Sequence, residues 1–269
     1  MNARLTKSLA LAALAAASVL FPGAASAQSR DRLLTIGPGA QIGPRYPGAD
    51  SYSIGPMPIF DLRRGGDPLG FEAPDEGAGI GLFGRDSVID IGPAIAFQGK
   101  RRERDVGAAV GNVPFTVEAG AFVEAWLGDA LRLRAEGRRG LGGHDGWIGD
   151  LSADLVAESE TSVFSIGPRI RWADDAWHDS CFGVTPAVAT RTGLPAFDPG
   201  SGIYAVSGVA TARHQFGNDE RWGVHLYARY DRLVGDAADS PIVGAFGSRD
   251  QFGAGIGLSY TFRMRRGRP

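Results

Sequence analysis

The chain has 269 residues, 43% of them hydrophobic, with 30 Asp and Glu against 28 Lys and Arg and a formal net charge of −2. That balance lacks the basic surplus of a nucleic-acid-binding surface. The single cysteine, Cys181, excludes a framework of intramolecular disulfides.

Residues 1–27 have the three parts of a secretory signal: Arg4 and Lys7, an apolar Ala/Leu-rich run over 8–21, and the small-residue site Ala25-Ser26-Ala27. A helical span needs about 20 strongly apolar residues, and this run is shorter. Export and cleavage near Ala27 are therefore expected, leaving roughly 240 residues, a length that all-β barrels carry as one unit. No later apolar run is long enough for a helical span, so a membrane-embedded chain would have to close as a barrel.

Beyond the signal the pattern has the period of strands, in which successive side chains point to opposite faces. Twelve strands are expected, near 31–42, 52–63, 68–82, 87–98, 113–127, 130–139, 148–158, 161–172, 180–191, 202–214, 221–234 and 250–262, with ten as the count if boundaries shift. In the fourth, Ile89, Ile91, Pro93, Ile95 and Phe97 alternate with Asp90, Gly92, Ala94, Ala96 and Gln98. The sixth sets Leu131, Leu133 and Ala135 against Arg132, Arg134, Glu136 and Arg138. The eighth sets Phe164, Ile166, Ile170 and Trp172 against Ser165, Gly167, Arg169 and Arg171, and the eleventh carries His225, Tyr227, Arg229 and Asp231 on its polar side. The last alternates without a break, Phe252, Ala254, Ile256, Leu258, Tyr260 and Phe262 against small or polar residues.

Alternation alone fits a soluble sandwich with its apolar face inward or a membrane barrel with its apolar face outward. Export, segments of 9 to 13 residues and a polar face that mixes Gly and Ser with Arg, Asp and Glu favour the barrel, whose tilted strands need about 9–11 residues to cross. Two features fit less well. The linker 99–112, with Lys100-Arg101-Arg102-Glu103-Arg104-Asp105, would be an unusually long periplasmic turn for this strand count. Ile-Gly-Pro recurs five times, ending at Pro38, Pro44, Pro56, Pro93 and Pro168. Proline cannot donate to a ladder, so bulges or interruptions are expected at Pro93 and Pro168.

The last third resembles the MipA/OmpV family. The segments carrying the likeness are Tyr230-Asp231-Arg232-Leu233-Val234-Gly235-Asp236-Ala237-Ala238-Asp239-Ser240-Pro241-Ile242-Val243, then Gly247-Ser248-Arg249-Asp250-Gln251-Phe252 and the closing Gly-Leu-Ser-Tyr-Thr-Phe at 257–262. Phe182-Gly183-Val184, Thr192-Gly193-Leu194, Tyr46-Pro47-Gly48-Ala49-Asp50 and Pro58-Ile59-Phe60-Asp61-Leu62-Arg63 are similar to its earlier elements. The resemblance implies an all-β, antiparallel outer-membrane β-barrel in a Gram-negative envelope, without cofactor or known catalysis. It implies outer-membrane lipid and the barrel-assembly machinery as partners, and a scaffold role between a lytic murein transglycosylase and a murein synthase, or a porin-like role. It also marks Asp236, Asp239, Ser240 and Pro241 as a signature loop, read here as structured and folding into the lumen. Unlike the usual aromatic ending, Phe262 is followed by the basic stretch 263–269, expected to be exposed on the periplasmic side.

If the phases above hold, Arg132, Arg134, Arg138, Arg169, Arg171 and Arg229 share one lumen, faced by Glu118, Glu124, Glu136 and Asp154. Such charges either pair and fill a small barrel or form a selective constriction. A barrel-embedded lipid hydrolase would need a serine beside an oriented histidine. His225 reads more simply as a polar lumen residue and His214 as a strand end, and no Gly-x-Ser-x-Gly elbow is present. The groups His144-Asp145 and Asp174-Asp175-His178-Asp179 are explained by the turn preference of aspartate, so neither catalytic residues nor metal ligands are assigned.

Overall fold

A computed structural model describes residues 32–64, 69–71, 73–83, 87–217 and 220–264. The signal segment 1–27 and tail residues 265–269 lie outside the described residues. One antiparallel sheet contains β1 (Arg32–Gly37), β2 (Gly39–Pro44), β3 (Tyr52–Pro56), β4 (Ile59–Arg64), β5 (Ala78–Gly79), β6 (Ile89–Gln98), β7 (Thr116–Leu127), β8 (Leu131–Leu141), β9 (Trp147–Glu158), β10 (Ser162–Ala173), β11 (Gly202–Phe216), β12 (Trp222–Leu233) and β13 (Asp250–Met264). From β5 to β13 each strand pairs with the next in sequence. The first and last then meet, with Leu34 opposite Phe262 and Ile42 opposite Ala254. Among the described residues no ladder joins the β3/β4 edge to the β5 edge.

Proline explains the doubled strands. Pro38 splits β1 from β2, and the Pro56-Met57-Pro58 stretch splits β3 from β4, while both halves keep to one path along the wall. Pro93 differs from expectation, because the β6–β7 ladder runs through it without a shift. Its parity is that of Ile91, whose carbonyl accepts from Leu82 N. The missing donor therefore points to the edge side, where little ladder exists to lose. At Pro168 the register with β11 is kept, while pairing with β9 lapses over 167–168.

Two expected strands are not strands. Residues 180–182 and 186–191 are helical, in α2 (Asp175–Phe182) and α3 (Pro186–Thr192), with Val184 between them bridged to Phe197; α1 (Glu103–Val106) lies in the linker before β7. Among the described residues of 68–82 only Ala78–Gly79 pairs in the sheet. Residues 69–71 and 73–77 instead run inside. Leu69 packs on Val156 and Val163, inward residues at the short-turn ends of β9 and β10. Further on, Gly77 N donates to Glu136 Oε1 in the middle of β8. The chain thus climbs the interior before β5 starts back down the wall, which places the 99–115 connection at the same end as the other long ones. That resolves the misfit of the long linker.

The ends are unequal. Connections 128–130, 159–161 and 217–221 are short and share an end with Arg32 and Met264, which pair. Connections 99–115, 174–201 and 234–249 are long and share the other. Outer-membrane barrels keep short turns on the periplasmic side, which orients this one. The alternation ends at Phe262, but β13 continues through Arg263 and Met264, paired with Leu33 and Arg32.

Candidate functional site: a charged lumen filled by the chain itself

The wall is turned inside out. On β10, Ile166 is 63% exposed and Arg169 only 3%. Across β12 and β13 the outward pairs are Val224–Leu258, Leu226–Ile256 and Tyr230–Phe252. Inward, the glycines Gly253, Gly255 and Gly257 stand opposite Arg229, Tyr227 and His225, small against large. A Cβ at Gly255 would lie 2.6 Å from Met57 Sδ, so a larger residue there would have to displace the Met57 thioether, which packs into the interior. Exposed aromatics sit at both ends: Trp222–Tyr260 and Tyr260–Phe262 at the short-turn end, Tyr230–Phe252 and Phe97–Phe115 at the other. The ten-residue step from Phe252 to Phe262 covers roughly 33 Å of strand, or about 25 Å along the axis at a tilt near 40°, the height of a barrel's apolar band.

Inside, the charges form one network. Arg132 reaches Glu76 Oε2 at 2.6 Å, Glu124 Oε2 at 2.8 Å and Asp154 Oδ2 at 2.9 Å. Arg134 donates to Glu136 Oε2, approaches Glu124 at 3.4 Å and lies 3.7 Å over the Phe122 ring. Arg138 pairs with Glu118 at 3.0 Å, Asp150 at 2.8 Å and Glu136. Arg169 bridges Asp154 at 2.8 Å and Asp75 at 3.1 Å. Arg171 reaches Asp75 at 3.0 Å and Asp231 at 3.4 Å, and Arg229 meets Asp231 at 2.8 Å. All six arginines and the four facing carboxylates named from the sequence therefore lie in one interior.

Asp75 and Glu76 were missed. They sit on the interior segment and between them touch Arg132, Arg134, Arg169 and Arg171. Their signal was legible: two adjacent acids cannot share a face in a strand, and Pro74-Asp75-Glu76-Gly77 has turn chemistry. Below them the plug is apolar, with Phe71 under the Arg132 guanidinium and packed, like Trp126, on the cluster of Leu69, Val156 and Val163, while Arg213 holds Asp61 at 3.2 Å and the Gly70 carbonyl. The space left between Asp75, Glu76, Arg134, Arg138 and Arg169 is about 10 Å³, room for one water.

Helices close the long-loop mouth. Asp174 caps α2, its side chain accepting from Trp177 N, and Thr185 caps α3 ahead of Pro186, with Gly193 left-handed behind. Trp177, 1% exposed, packs against Tyr204 and Phe182 and donates to Gln98 Oε1 at 2.9 Å. The signature loop forms α4 (Gly235–Asp239) and α5 (Pro241–Phe246). Asp236 accepts from Gly200 N at 2.7 Å, and Asp239 pairs with Arg249 at 3.2 Å. Ser240, with Pro241 at the first helical position, donates to the Phe182 carbonyl at 2.8 Å and accepts from Ile242 N. The loop therefore seats on the mouth, against Ile148, Ala173, Ala205 and Leu233, and the descent into the lumen belongs to 69–77. Burial beside α4 and α5 pushes the Cys181 thiol up to about 11.

The histidines do not converge. His225 Nε2 lies 2.9 Å from Ser259 Oγ inside, and His214 Nδ1 lies 2.8 Å from Ser162 Oγ on the exposed face. Ser259 is 2% exposed, and among the described residues no carboxylate hydrogen-bonds the second nitrogen of His225. His144 is buried with its Nε2 3.4 Å from Glu118, while Asp174 and His178 serve α2 itself. Among the described residues no group of three His, Cys, Asp or Glu side chains is placed to hold a metal ion.

An apolar exterior, two aromatic belts and a charged interior are those of an outer-membrane β-barrel protein. Three solved structures are similar at low identity. An outer membrane channel from Pseudomonas putida F1 is 12% identical over 91% of this chain and 100% of that chain, with a TM-score of 0.44. The N-terminal β-barrel domain of Pseudomonas aeruginosa OprF is 13% identical over 65% and 96%, TM-score 0.25. The outer membrane protein OprG from Pseudomonas aeruginosa is 9% identical over 87% and 97%, TM-score 0.27. No curated protein matches the sequence. The family model described as MltA-interacting protein MipA matches residues 36–262, from within β1 to near the end of β13, and the chain belongs to that family.

Proposed function

We propose that this protein is a closed, non-enzymatic outer-membrane barrel that serves as a scaffold for murein-processing enzymes. The observation that carries the reading is the filled interior, where residues 69–71 and 73–77 lie in the lumen and the carboxylates of Asp75 and Glu76 pair with four of its arginines. A barrel packed in this way is built as a rigid platform rather than a passage. The family description, MltA-interacting protein, supports the reading; a lytic murein transglycosylase and a murein synthase are the partners that the sequence resemblance implies. The face available to such enzymes is the short-turn end, with 128–130, 159–161, 217–221 and both strand termini.

Two measurements test this. Planar-bilayer recordings of the purified protein should stay silent under conditions that open porins. A purified lytic transglycosylase should bind the micelle-embedded barrel, and charge-reversed residues at the short turns should weaken that binding. Steps of defined conductance together with no binding would overturn the reading. One observation favours a second, gated solute channel: the plug is joined to the wall by side-chain pairs and only two residues of ladder, so it is the part of the barrel most easily displaced.

A further inference from the structure

We propose that the basic recess at the outer rim binds the phosphorylated headgroup of an outer-leaflet lipid. The recess, about 530 Å³, opens between the β2–β3 connection and the linker after β6, and is lined by Arg45, Lys100, Arg102, Arg104, Asp105 and Phe115. That volume lies in the range of small-molecule sites, and four cations face one acid in it.

The surplus is real because the acids of the linker are occupied. Asp105 pairs with Arg45 at 3.3 Å. Glu103 is turned away, its Oε1 accepting from Gly111 N at 2.9 Å. Arg101 is buried and donates to the Cys181 carbonyl, which anchors the run to α2 and fixes the direction of its neighbours. Among the described residues Lys100, Arg102 and Arg104 have no ion-pair partner, and Lys100 and Arg104 are exposed. Three cations left together in this way suit a multiply charged anion, since guanidinium and ammonium groups complement phosphate oxygens.

Position selects the lipid over a free anion. Phe115 lines the recess and stacks on Phe97 at 5.9 Å, and both rings are more than half exposed on the lipid-facing wall. The cations therefore stand directly above an aromatic belt, where a headgroup lies when its acyl chains run down the wall. Ser53, at the free edge of the sheet, borders the same recess, so the lipid would cover the upper end of the edge left unpaired by β3.

The inference rests on the outer-membrane placement but not on the scaffold role or the closed lumen. The test uses the refolded protein in detergent micelles, titrated with a bis-phosphorylated glucosamine-based lipid, the same lipid dephosphorylated, and inorganic phosphate. Bound lipid is counted by native mass spectrometry. The phosphorylated lipid should remain bound, the dephosphorylated one should bind at least tenfold more weakly, and Lys100→Gln/Arg102→Gln/Arg104→Gln should lose binding at least tenfold while keeping the heat-modifiable mobility of the folded barrel. Unchanged binding by the triple variant, equal retention of both lipids, or phosphate competing at equal affinity would each overturn the proposal. Orientation is checked separately: Asp129→Cys, in a short turn, should resist a membrane-impermeant maleimide on intact cells and react after lysis. Labelling on intact cells would place the recess on the wrong side of the membrane.

Discussion

At the scale of single residues, two buried groups make sharp predictions. Cys181 is fully enclosed beneath α4 and α5, and its thiol is held near 11, chiefly by loss of solvent. Only roughly one thousandth of it is thiolate at pH 8, the form that reacts. Iodoacetamide should leave the folded protein unmodified at pH 8 and alkylate it rapidly in denaturant; fast labelling of the folded form would contradict the enclosure. Asp154, with no exposed surface, holds both Arg132 and Arg169. Breaking a buried pair from one side costs roughly 3–5 kcal/mol, so Asp154→Ala should lower the urea midpoint of the folded form markedly. Arg139, whose guanidinium lies 6.0 Å from the Trp147 ring on the exposed face, is the control. Arg139→Gln should cost only about 0.5–1 kcal/mol.

At the scale of elements, strand phase was readable because its period is two and any slip would exchange the faces of the whole strand. Leu258→Arg puts a cation into lipid at a cost of roughly 2–4 kcal/mol near the midplane. Ser259→Ala, one residue on, removes internal hydrogen bonds to His225 and to the Gly223 carbonyl and puts no charge into lipid. The yield of heat-modifiable protein should fall for the first variant and hold for the second, and equal yields would refute the phase. Helical connections were harder to read, since 180–191 is short and apolar enough to pass as strand. Thr185-Pro186 in its middle and Gly193 behind were the local marks of a capped helix over Pro186–Thr192. The interior segment was hardest, because its course is set by arginines on distant strands and not by its own pattern. Its contribution can be measured. Asp75→Asn/Glu76→Gln removes two negative charges from among four arginines, and the variant should show anion-selective conductance where the parent is silent. Continued silence would mean that the apolar part of the plug, Leu69 and Phe71, closes the lumen unaided.

At the scale of the whole molecule, ladder length sets the order of local stability. The ladders from β7 to β13 run through nine or more residue pairs each, whereas β5 contributes two. Opening free energies follow buried contacts and paired backbone. Amides of β8 to β12 should therefore exchange slowest in micelles, and those of β5 fastest among the strands. Uniform protection around the wall would contradict a weak edge there.

Thr35 and Thr261 share a hydrogen bond across a sequence separation of 226 residues. Bringing chain ends together over such a span costs about 5 kcal/mol in loop entropy by the logarithmic rule. Contacts of that separation form late, so the seam between β1 and β13 is the last to zip during biogenesis. By then the intervening strands, from β7 onward, have paired neighbour to neighbour. The plug lies between the second wall strand and β5, whose edges no ladder joins among the described residues, so its carboxylates can seat on the arginines of β8 and β10 from that side. Assembly thus has an order written into it: neighbouring strands first, the long-range seam last, with the filling free to settle through the gap that the wall leaves beside it.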